Sequence, residues 1–252
     1  MAWFGFIDRS ILYFPGCYSS AFLKNKAENY RKILKKLNIN FWLPKTSNFF
    51  CCGGFLDENG YEKQFRKLAR DNFTMLAKLG VRKILASCSL CYTIFSEGYK
   101  EVLPDWNIEV EYVLETILKK LLEDNNLIKN YSNEDIAYYD SCYLGRYSKI
   151  HQQPRDILKL FGYRIIELPD AKEETTCCGS CGNLPYANPE LSRKIARSFI
   201  ESLKRKRIKK IITADARAYR QLKENLAESE EEQLEIIEFS DAICEALNIS
   251  SA

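Results

Sequence analysis

The sequence predicts an α/β protein made of two tandem duplicated α/β domains, each a small, mainly parallel sheet flanked by helices. Short apolar segments alternate with amphipathic helical segments, as expected for parallel strands covered by helices. A set of motifs recurs at an offset of 125 to 127 residues, which indicates an internal duplication. A charged, Asn-rich stretch at 123–133 separates the two copies, so we expect domains at 1–126 and 134–252.

The elements of the first half follow from periodicity and from turn residues. Apolar side chains recur at helical spacing in three segments, and shorter apolar runs between them predict strands. Gly80 is placed to end the second helix, and Cys88 and Cys91 lie where a strand turns into a further helix. A loop at 45–50 leads to Cys51 and Cys52. The predicted elements are strands at 10–14, 40–43, 81–86 and 107–112 and helices at 20–37, 61–79 and 114–122.

The second half repeats the landmarks of the first. Each match joins a strand end or a cysteine turn to its counterpart about half a chain later. The same alternation of strands and helices is therefore expected in both halves. The matched segments are 13–18 with 139–143, 51–54 with 177–180, 84–92 with 211–219, and 108–111 with 234–237.

Composition limits the classes of function. The net charge of +3 does not favour nucleic acid, and the basic run at 204–210 ends a helical segment, so it is expected to be a solvated face. No stretch reaches the roughly 18 to 20 apolar residues of a membrane span. Residues 1–8 lack the basic and apolar regions of a signal peptide, so a cytoplasmic location is expected. Ten cysteines in a reducing compartment are expected to be metal ligands rather than disulfides.

Five of the cysteines lie in the first half, whereas the whole chain has one histidine. Thiolates bind zinc or iron–sulfur clusters, and five thiols exceed the four of a closed zinc site. The site is expected at one end of the sheet, where the loops after parallel strands converge. These candidate ligands are Cys17, Cys51, Cys52, Cys88 and Cys91.

The residues around these cysteines suit a cluster. Gly53 and Gly54 allow the turn that two adjacent cysteines need to serve one site, and they let backbone N–H groups approach sulfur. Cys88 and Cys91 lie at a helix N-terminus, which stabilises thiolate. The alternatives are a vicinal disulfide at Cys51–Cys52 with a dithiol pair at Cys88 and Cys91, or a structural zinc site. Cys244 is expected in the core, and His151 in a helical stretch, at the surface or behind the ligands.

This pattern resembles a known family. Cys17, then 33 residues, Cys51-Cys52, then 35 residues, Cys88-x-x-Cys91 is similar to the cysteine-rich CCG domain. That domain occurs in the disulfide-cleaving subunit of heterodisulfide reductase and in iron–sulfur subunits of glycolate, lactate and glycerol-3-phosphate oxidoreductases. The second half resembles it through 140–146, Pro154-Arg155 and 177–179. The resemblance implies a noncubane [4Fe-4S] cluster on the five first-half cysteines, used to cleave a mixed disulfide by one-electron steps.

The second half departs from that pattern. Asp215 and Ala218 replace the cysteines of the first-half Cys-x-x-Cys, and Cys181 is an addition. A second [4Fe-4S] cluster, zinc, or an empty structural half all remain open, and Asp215 is a candidate oxygen ligand. The second-half candidate ligands are Cys142, Cys177, Cys178 and Cys181.

The resemblance implies an oxidoreductase subunit that is active in a complex. The sequence has neither a ferredoxin cysteine run nor a Gly-x-Gly-x-x-Gly fingerprint, so a ferredoxin-like iron–sulfur subunit and a flavoprotein subunit are expected partners. The expected chemistry is thiol–disulfide redox conversion of a thiol, disulfide or small organic substrate. The alternatives are an electron-relay subunit of a flavin-dependent 2-hydroxyacid or glycerol-3-phosphate dehydrogenase, and an assembly module that holds structural zinc.

Overall fold

The computed structural model describes residues 9–44, 50–226 and 234–252. Within these residues the strands are β1 (Ile11–Phe14), β2 (Lys83–Ala86), β3 (Glu109–Tyr112), β4 (Asp135–Tyr139), β5 (Arg164–Ile166), β6 (Lys210–Thr213) and β7 (Glu235–Glu238). They form one sheet of order β1-β2-β3 and a second of order β5-β4-β6-β7, and every pairing is parallel. The predicted class, two duplicated parallel sheets flanked by helices, is confirmed.

Helices connect the strands and cover both sheets. There are two π-helical segments in the described residues: Ile94–Gly98 continues the helix Ser89–Thr93, and Cys142–Tyr147 follows the end of β4. The α-helices are α1 (Cys17–Phe22), α2 (Lys24–Lys36), α3 (Gly54–Glu58), α4 (Glu62–Lys78), α5 (Ser89–Thr93), α6 (Tyr99–Val102), α7 (Val113–Glu123), α8 (Gln152–Leu160), α9 (Leu184–Ala187), α10 (Pro189–Arg205), α11 (Ala216–Asn225) and α12 (Phe239–Ala246).

Three predicted elements differ from the structure. The helix expected at 20–37 is two helices, because Leu23 leaves the helical region at φ −136° and ψ 52°. The strand expected at 40–43 is reduced to one parallel bridge between Trp42 and Leu12. His151 lies just before α8 rather than inside a helix. The segment 1–8 and nearly all of the loop predicted at 45–50 lie outside the described residues.

The structure repeats itself as the sequence does. β1, β2 and β3 pair in the same order as β4, β6 and β7. The bridge at Trp42 occupies the place beside β1 that β5 occupies beside β4. The two halves therefore share one strand arrangement, with the outer strand shortened to a single bridge in the first.

The largest hydrophobic core is shared between the halves. It contains Tyr13 and Leu85 from the first sheet together with Tyr138 and Ile212 from the second. Helix α2 packs against α12, and α7 packs against α8, so each contact joins one half to the other. Because α2 corresponds to α8 and α7 to α12, the two contacts are equivalent. The halves are thus joined as an approximate two-fold pair, with their helices packed between the sheets.

Two smaller cores lie on the outer faces of the sheets. One contains the thiol residues Cys52, Cys88 and Cys91 of the first half, and Tyr143 and Cys181 of the second half pack against it. The other is built from the second half alone. In the part of the chain that is described, no helix has the length and hydrophobicity of a membrane span.

Candidate metal centre

The first-half cysteines gather where β1 and β2 end. Cys17 follows the end of β1 and begins α1, directly after Gly16, whose φ is +83°. A Cβ atom at Gly16 would come within 2.7 Å of Cys88 Cβ and within 3.3 Å of Cys91 Sγ. The bare backbone at this glycine therefore lets the loop after β1 approach the thiols that follow β2.

The cysteine pair at Cys51 and Cys52 completes this group. Gly53 N–H donates to Cys51 Sγ at 3.4 Å, and Gly54 N–H donates to Cys52 Sγ at the same distance. Cys52 Sγ lies 3.3 Å from Cys91 Sγ, which is too long for a disulfide, and all ten cysteines are free. The structure therefore has no vicinal disulfide at Cys51 and Cys52, and Cys88 and Cys91 are both free thiols.

Cys88 caps the helix that follows β2. Its Sγ accepts a hydrogen bond from Cys91 N–H at 3.5 Å at the start of α5. This N–H···S geometry and the helix dipole both stabilise the ionised sulfur. Cys88 thus holds the position that an aspartate or serine holds at an ordinary helix N-terminus.

The pKa values of the five first-half thiols are shifted in opposite directions. A hydrogen bond from the Cys17 thiol lowers the pKa of Cys51 to about 2, and the same contact raises the pKa of Cys17. A hydrogen bond from Cys91 lowers the pKa of Cys88, whereas contacts with neighbouring thiols raise the pKa values of Cys52 and Cys91. The group is ready to lose protons at two positions, and thiolate is the form that binds metal.

Two polar side chains that the sequence analysis did not identify support the cysteine pair. Asn72 of α4 donates to the Cys51 carbonyl at 2.8 Å and to the Tyr99 hydroxyl at 2.7 Å. Tyr99 in turn donates to the Cys52 carbonyl at 3.0 Å. Asn72 is buried on the apolar face of α4. A polar amide at an apolar position of a helix was the sequence feature that could have identified it.

The second-half site is a compact trio. The sulfurs of Cys142, Cys177 and Cys181 all lie within 4.8 Å of one another. Gly179 N–H donates to Cys177 Sγ at 3.3 Å, which repeats the contact made by Gly53 in the first half. Hydrogen bonds from Cys142 and Cys181 lower the pKa of Cys177 to about 2. Three thiols, one of them readily ionised, suit zinc or a cluster.

Cys178 stands apart from this trio. It is 1% exposed and packs in the core of the second half. Its Sγ contacts Ser180 Oγ at 3.4 Å, its N–H donates to the Tyr139 hydroxyl, and burial raises the pKa of its thiol to about 11. The structure therefore brings three of the four second-half candidate ligands together.

Asp215 caps a helix and joins the halves. One carboxylate oxygen accepts from Ala218 N–H at 2.9 Å at the start of α11, as Cys88 accepts from Cys91 in the first half. The other oxygen accepts a hydrogen bond from the Ser89 hydroxyl of the first half. Both oxygens of Asp215 accept hydrogen bonds, so in this structure the side chain is a helix cap and a link between the halves.

A second contact between the halves is centred on Glu58, which the sequence analysis did not identify. Its carboxylate accepts from the Tyr143 hydroxyl and from Gly182 N–H at 3.2 Å, and it pairs with Arg217 at 3.4 Å. Burial lowers the pKa of Arg217, but the negative charges of Cys88, Glu58 and Asp215 outweigh it and raise the pKa overall. Arg217 of the second half therefore compensates charge at the first-half site.

The donor set of the first half fits an iron–sulfur cluster. Five free thiols, three backbone N–H···S contacts and a closely packed glycine at Gly16 lie at one end of the first sheet. Such clusters are usually bound by thiolates whose sulfur atoms accept hydrogen bonds from nearby N–H groups. Five thiols also exceed what a tetrahedral zinc site uses.

The chain is similar in sequence to a known domain family and to several known proteins. The model of the CCG cysteine-rich domain matches twice, at residues 11–96 and 136–223. The chain is 30% identical over 66% of its length to the EtfAB:quinone oxidoreductase of Syntrophomonas wolfei, covering 23% of that protein. It is 28% identical over 82% of its length to a subunit of the dihydromethanophenazine:CoB–CoM heterodisulfide reductase of Methanosarcina mazei, covering 49% of it.

A further relative matches most of the chain. The probable glycolate oxidase iron–sulfur subunit of Bacillus subtilis is 22% identical over 87% of the chain, which covers 50% of that protein. The chain thus spans half or less of the length of these three relatives. Because the domain model covers most of both halves, including both CCG turns, the chain belongs to the family of cysteine-rich CCG-domain proteins.

Proposed function

We propose that this chain is the iron–sulfur subunit of a multi-subunit oxidoreductase similar to heterodisulfide reductase. The observation that carries the proposal is the group of five first-half thiols at one sheet end, with backbone N–H groups donating to three of the sulfurs. The names of the relatives, which include a heterodisulfide reductase subunit and an iron–sulfur subunit, support it. The proposed ligands are Cys17, Cys51, Cys52, Cys88 and Cys91.

The proposed cofactor is a noncubane [4Fe-4S] cluster, which supplies one-electron redox chemistry next to sulfur. A conventional cubane uses four thiolates, and here a fifth is at hand. Gly53 and Gly54 would hold the cluster through N–H···S hydrogen bonds, which make reduction easier because they offset added negative charge. Cys17 is the exposed member of the set, so the substrate is expected to approach from its side.

The proposed reaction is thiol–disulfide redox conversion. Reduction of a disulfide to two thiols takes up two electrons and two protons, and we propose that a partner supplies these electrons. A ferredoxin-like iron–sulfur subunit and a flavoprotein subunit are the proposed partners. The second candidate is electron relay in a flavin-dependent dehydrogenase, which the likeness to the glycolate oxidase iron–sulfur subunit favours.

Iron content tests the first site. Anaerobically reconstituted protein should carry about four irons and four acid-labile sulfides from the first half. Cys52→Ser should remove them, whereas Cys244→Ala should not, because Cys244 is fully buried in the shared core, as the sequence predicted. Zinc without iron or sulfide in the wild type, or equal iron in both variants, would contradict the proposal.

The second half is proposed to hold a separate metal centre on Cys142, Cys177 and Cys181, with zinc or a cluster as occupant. Cys181→Ser should remove this metal and leave the spectroscopic signal of the first site intact, because it deletes one of three mutually close sulfurs. Cys178→Ser is the matched control, since that thiol faces Ser180. Unchanged metal content in Cys181→Ser would show that the trio binds none.

A further inference from the structure

Two buried side chains, Asn72 and Tyr99, are the hydrogen-bond donors to the carbonyls of the first cysteine pair. Asn72 Nδ2 donates to the Cys51 carbonyl at 2.8 Å, and the Tyr99 hydroxyl donates to the Cys52 carbonyl at 3.0 Å. In the described part of the chain, no backbone N–H donates to either carbonyl. Both cysteines precede α3 and belong to no strand or helix, so the orientation of their backbone depends on these two side chains.

The two donors are fixed in place and shielded from water. Tyr99 is 0% exposed and Asn72 is 4% exposed. Asn72 also donates to the Tyr99 hydroxyl at 2.7 Å, so each of the two side chains orients the other. The rings of Phe95 and Trp106 pack against the Tyr99 ring, with centroids 5.0 and 4.8 Å away. Water is therefore kept from the carbonyls that Asn72 and Tyr99 bind.

The Tyr99 contact also orients an N–H donor of the thiol site. The Cys52 carbonyl and the Gly53 N–H belong to one planar peptide unit. Gly53 N–H donates to Cys51 Sγ at 3.4 Å. Because Tyr99 holds the carbonyl end of this plane, it also sets the direction of the N–H at the other end.

The second half has a different residue at the position of Asn72. Helices α4 and α10 correspond at an offset of 127 residues, because the glycines of the two cysteine turns pack against Phe65 and Ser192 at matching positions. At that offset Phe199 replaces Asn72. A phenyl ring has no N–H to donate, so α10 provides no counterpart of the contact between Asn72 and the cysteine turn.

The second cysteine of each turn points in a different direction in the two halves. Cys52 Sγ lies 3.3 Å from Cys91 Sγ, within the thiol group. Cys178, its counterpart, donates through its N–H to the Tyr139 hydroxyl, and its Sγ faces Ser180 Oγ at 3.4 Å in the core of the second half. Among the described residues, this cysteine therefore joins its site only in the half where side chains hold the carbonyls of the turn.

We propose that Asn72 and Tyr99 are positioning residues that make Cys52 a ligand of the first-half site. By holding the two carbonyls they fix the peptide planes of the turn, and this directs Cys52 Sγ towards the other thiols. Loss of either donor leaves a plane free to rotate, and the sulfur then turns away as that of Cys178 does. This inference rests on the proposed function, which assigns a cluster to the five first-half thiols, and deepens it by explaining how the fifth thiol is kept at the site.

Alkylation of the metal-free protein tests the positioning without a cluster. Tyr99→Phe keeps the ring and removes the hydroxyl. Tyr138→Phe is the matched control, because the Tyr138 hydroxyl is buried with no hydrogen-bond partner among the described residues. Reduced, chelator-treated protein is exposed to N-ethylmaleimide, and modification of each cysteine is followed by peptide mass spectrometry. Cys52, which is 2% exposed, should react about ten-fold faster or more in Tyr99→Phe, because a buried carbonyl loses its donor, and at the wild-type rate in Tyr138→Phe.

Cys178 is the internal control for general opening of the fold. Its thiol is 1% exposed and lies in the other half, so its reaction rate should be the same in all variants. Asn72→Leu, which nearly keeps the side-chain size and removes the donor to the Cys51 carbonyl, should also accelerate Cys52 and keeps the test valid if Tyr99→Phe fails to fold. Unchanged reaction of Cys52 in both variants, or equal acceleration of Cys178, would overturn the proposal.

Reconstituted protein provides a second readout. Tyr99→Phe and Asn72→Leu should each take up less than about half of the wild-type iron, and the electron paramagnetic resonance spectrum of the iron that remains should differ from that of the wild type. Tyr138→Phe should match the wild type in both measurements. Full iron with a wild-type spectrum in both positioning variants would also overturn the proposal. A wild type that binds no iron would contradict the cluster assignment instead, while the alkylation rates would still report the positioning of Cys52.

Discussion

At the scale of single residues, the most demanding contact is the buried ion pair of Arg155. The side chains of Arg155 and Asp140 are 2% and 0% exposed, and two hydrogen bonds of 2.8 and 2.7 Å join them. Asp140→Asn should lower the free energy of unfolding by about 3 kcal/mol, because the buried guanidinium then keeps only the half-exposed Glu167 as an ion partner. Denaturant titration measures this loss.

The same strand provides the control for that prediction. Asp135, at the other end of β4, pairs with Arg164 at 2.6 Å, but both side chains are more than half exposed. Asp135→Asn should cost less than about 1 kcal/mol, because solvent screens an exposed pair. Similar losses of unfolding free energy in both variants would mean that burial does not determine how strongly the Asp140 pair stabilises the protein.

Glu238 makes stability depend on pH. Burial raises the pKa of Glu238 to about 7, and hydrogen bonds from the Ser240 hydroxyl and N–H only partly oppose this. Between about pH 4.5 and 7 the unfolded chain releases this proton while the folded chain keeps it, so the stabilising contribution present at lower pH is lost as pH rises. The loss is about 3 kcal/mol, from about 1.4 kcal/mol per pH unit.

Glu238→Gln should remove this part of the pH dependence. An amide fills the same space and stays neutral, so the variant should gain stability relative to the wild type as pH rises from 4.5 to 7. Thermal unfolding at several pH values measures the difference. Glu235→Gln, on the exposed side of the same strand, is the control. A Glu238→Gln curve parallel to that of the wild type would show that this carboxyl titrates normally.

At the scale of an element, the turn between β1 and α1 sets the geometry of the thiol site. Gly16→Ala adds a methyl group at a positive φ and within 2.7 Å of Cys88 Cβ. The turn must open, so iron bound after reconstitution should fall to less than about half of the wild-type amount. Iron and sulfide assays measure this loss, and circular dichroism should show that the fold is retained.

A Gly60→Ala variant distinguishes the two causes of iron loss in Gly16→Ala, which are backbone strain at positive φ and crowding of the thiols. Its φ is +72°, but a Cβ atom there would meet nothing within 4 Å. Gly60→Ala therefore carries the backbone cost of about 1–2 kcal/mol without the close contact, and it should retain its iron. If Gly60→Ala lost iron to the same extent, general destabilisation rather than crowding of the thiols would explain the Gly16 result.

At the scale of the whole molecule, the shared core should make the two halves unfold together. All three tryptophans, Trp3, Trp42 and Trp106, belong to the first half, so their fluorescence follows that half, whereas far-UV circular dichroism follows both. Phe239 of the second half is fully buried in the core shared with the first. Phe239→Ala should cost about 3–5 kcal/mol and shift both transitions equally.

Independent unfolding of the two halves would give a different result. If Phe239→Ala moved the circular dichroism transition and left the fluorescence midpoint in place, the halves would unfold as independent domains. The contacts of α2 with α12 and of α7 with α8 argue for cooperation, because each half covers its inner helices with those of the other. The boundary proposed near 126–134 is then a mark of the duplication rather than of independent stability.

The sequence by itself determined the features that depend on nearby residues. Alternating apolar segments placed β2, β3, α4 and α7 within a few residues of their observed ends, and Gly80 ends α4 as predicted, with φ +75°. The constant offset between halves predicted a duplication with parallel strands in each half, which the structure shows. Two cysteines followed by a glycine indicated a turn with sulfur facing backbone N–H groups, which Gly53 and Gly179 both show. Propensity and turn chemistry act over short stretches of chain, and the repeat is visible when one half of the sequence is compared with the other, so all three can be read without coordinates.

Only the tertiary structure decided which groups face one another across the chain. Cys181 joins Cys142 and Cys177, while Cys178, next to Cys177 in sequence, turns into the core. Asp215 bonds to Ser89, and Glu58 bonds to Gly182, each 124 to 126 residues away. These choices depend on how the halves pack their helices between the sheets, because that packing fixes which loops meet at the strand ends. The sequence pattern does not give the spatial distance between residues far apart in the chain, so these contacts between the halves became visible only in the folded molecule.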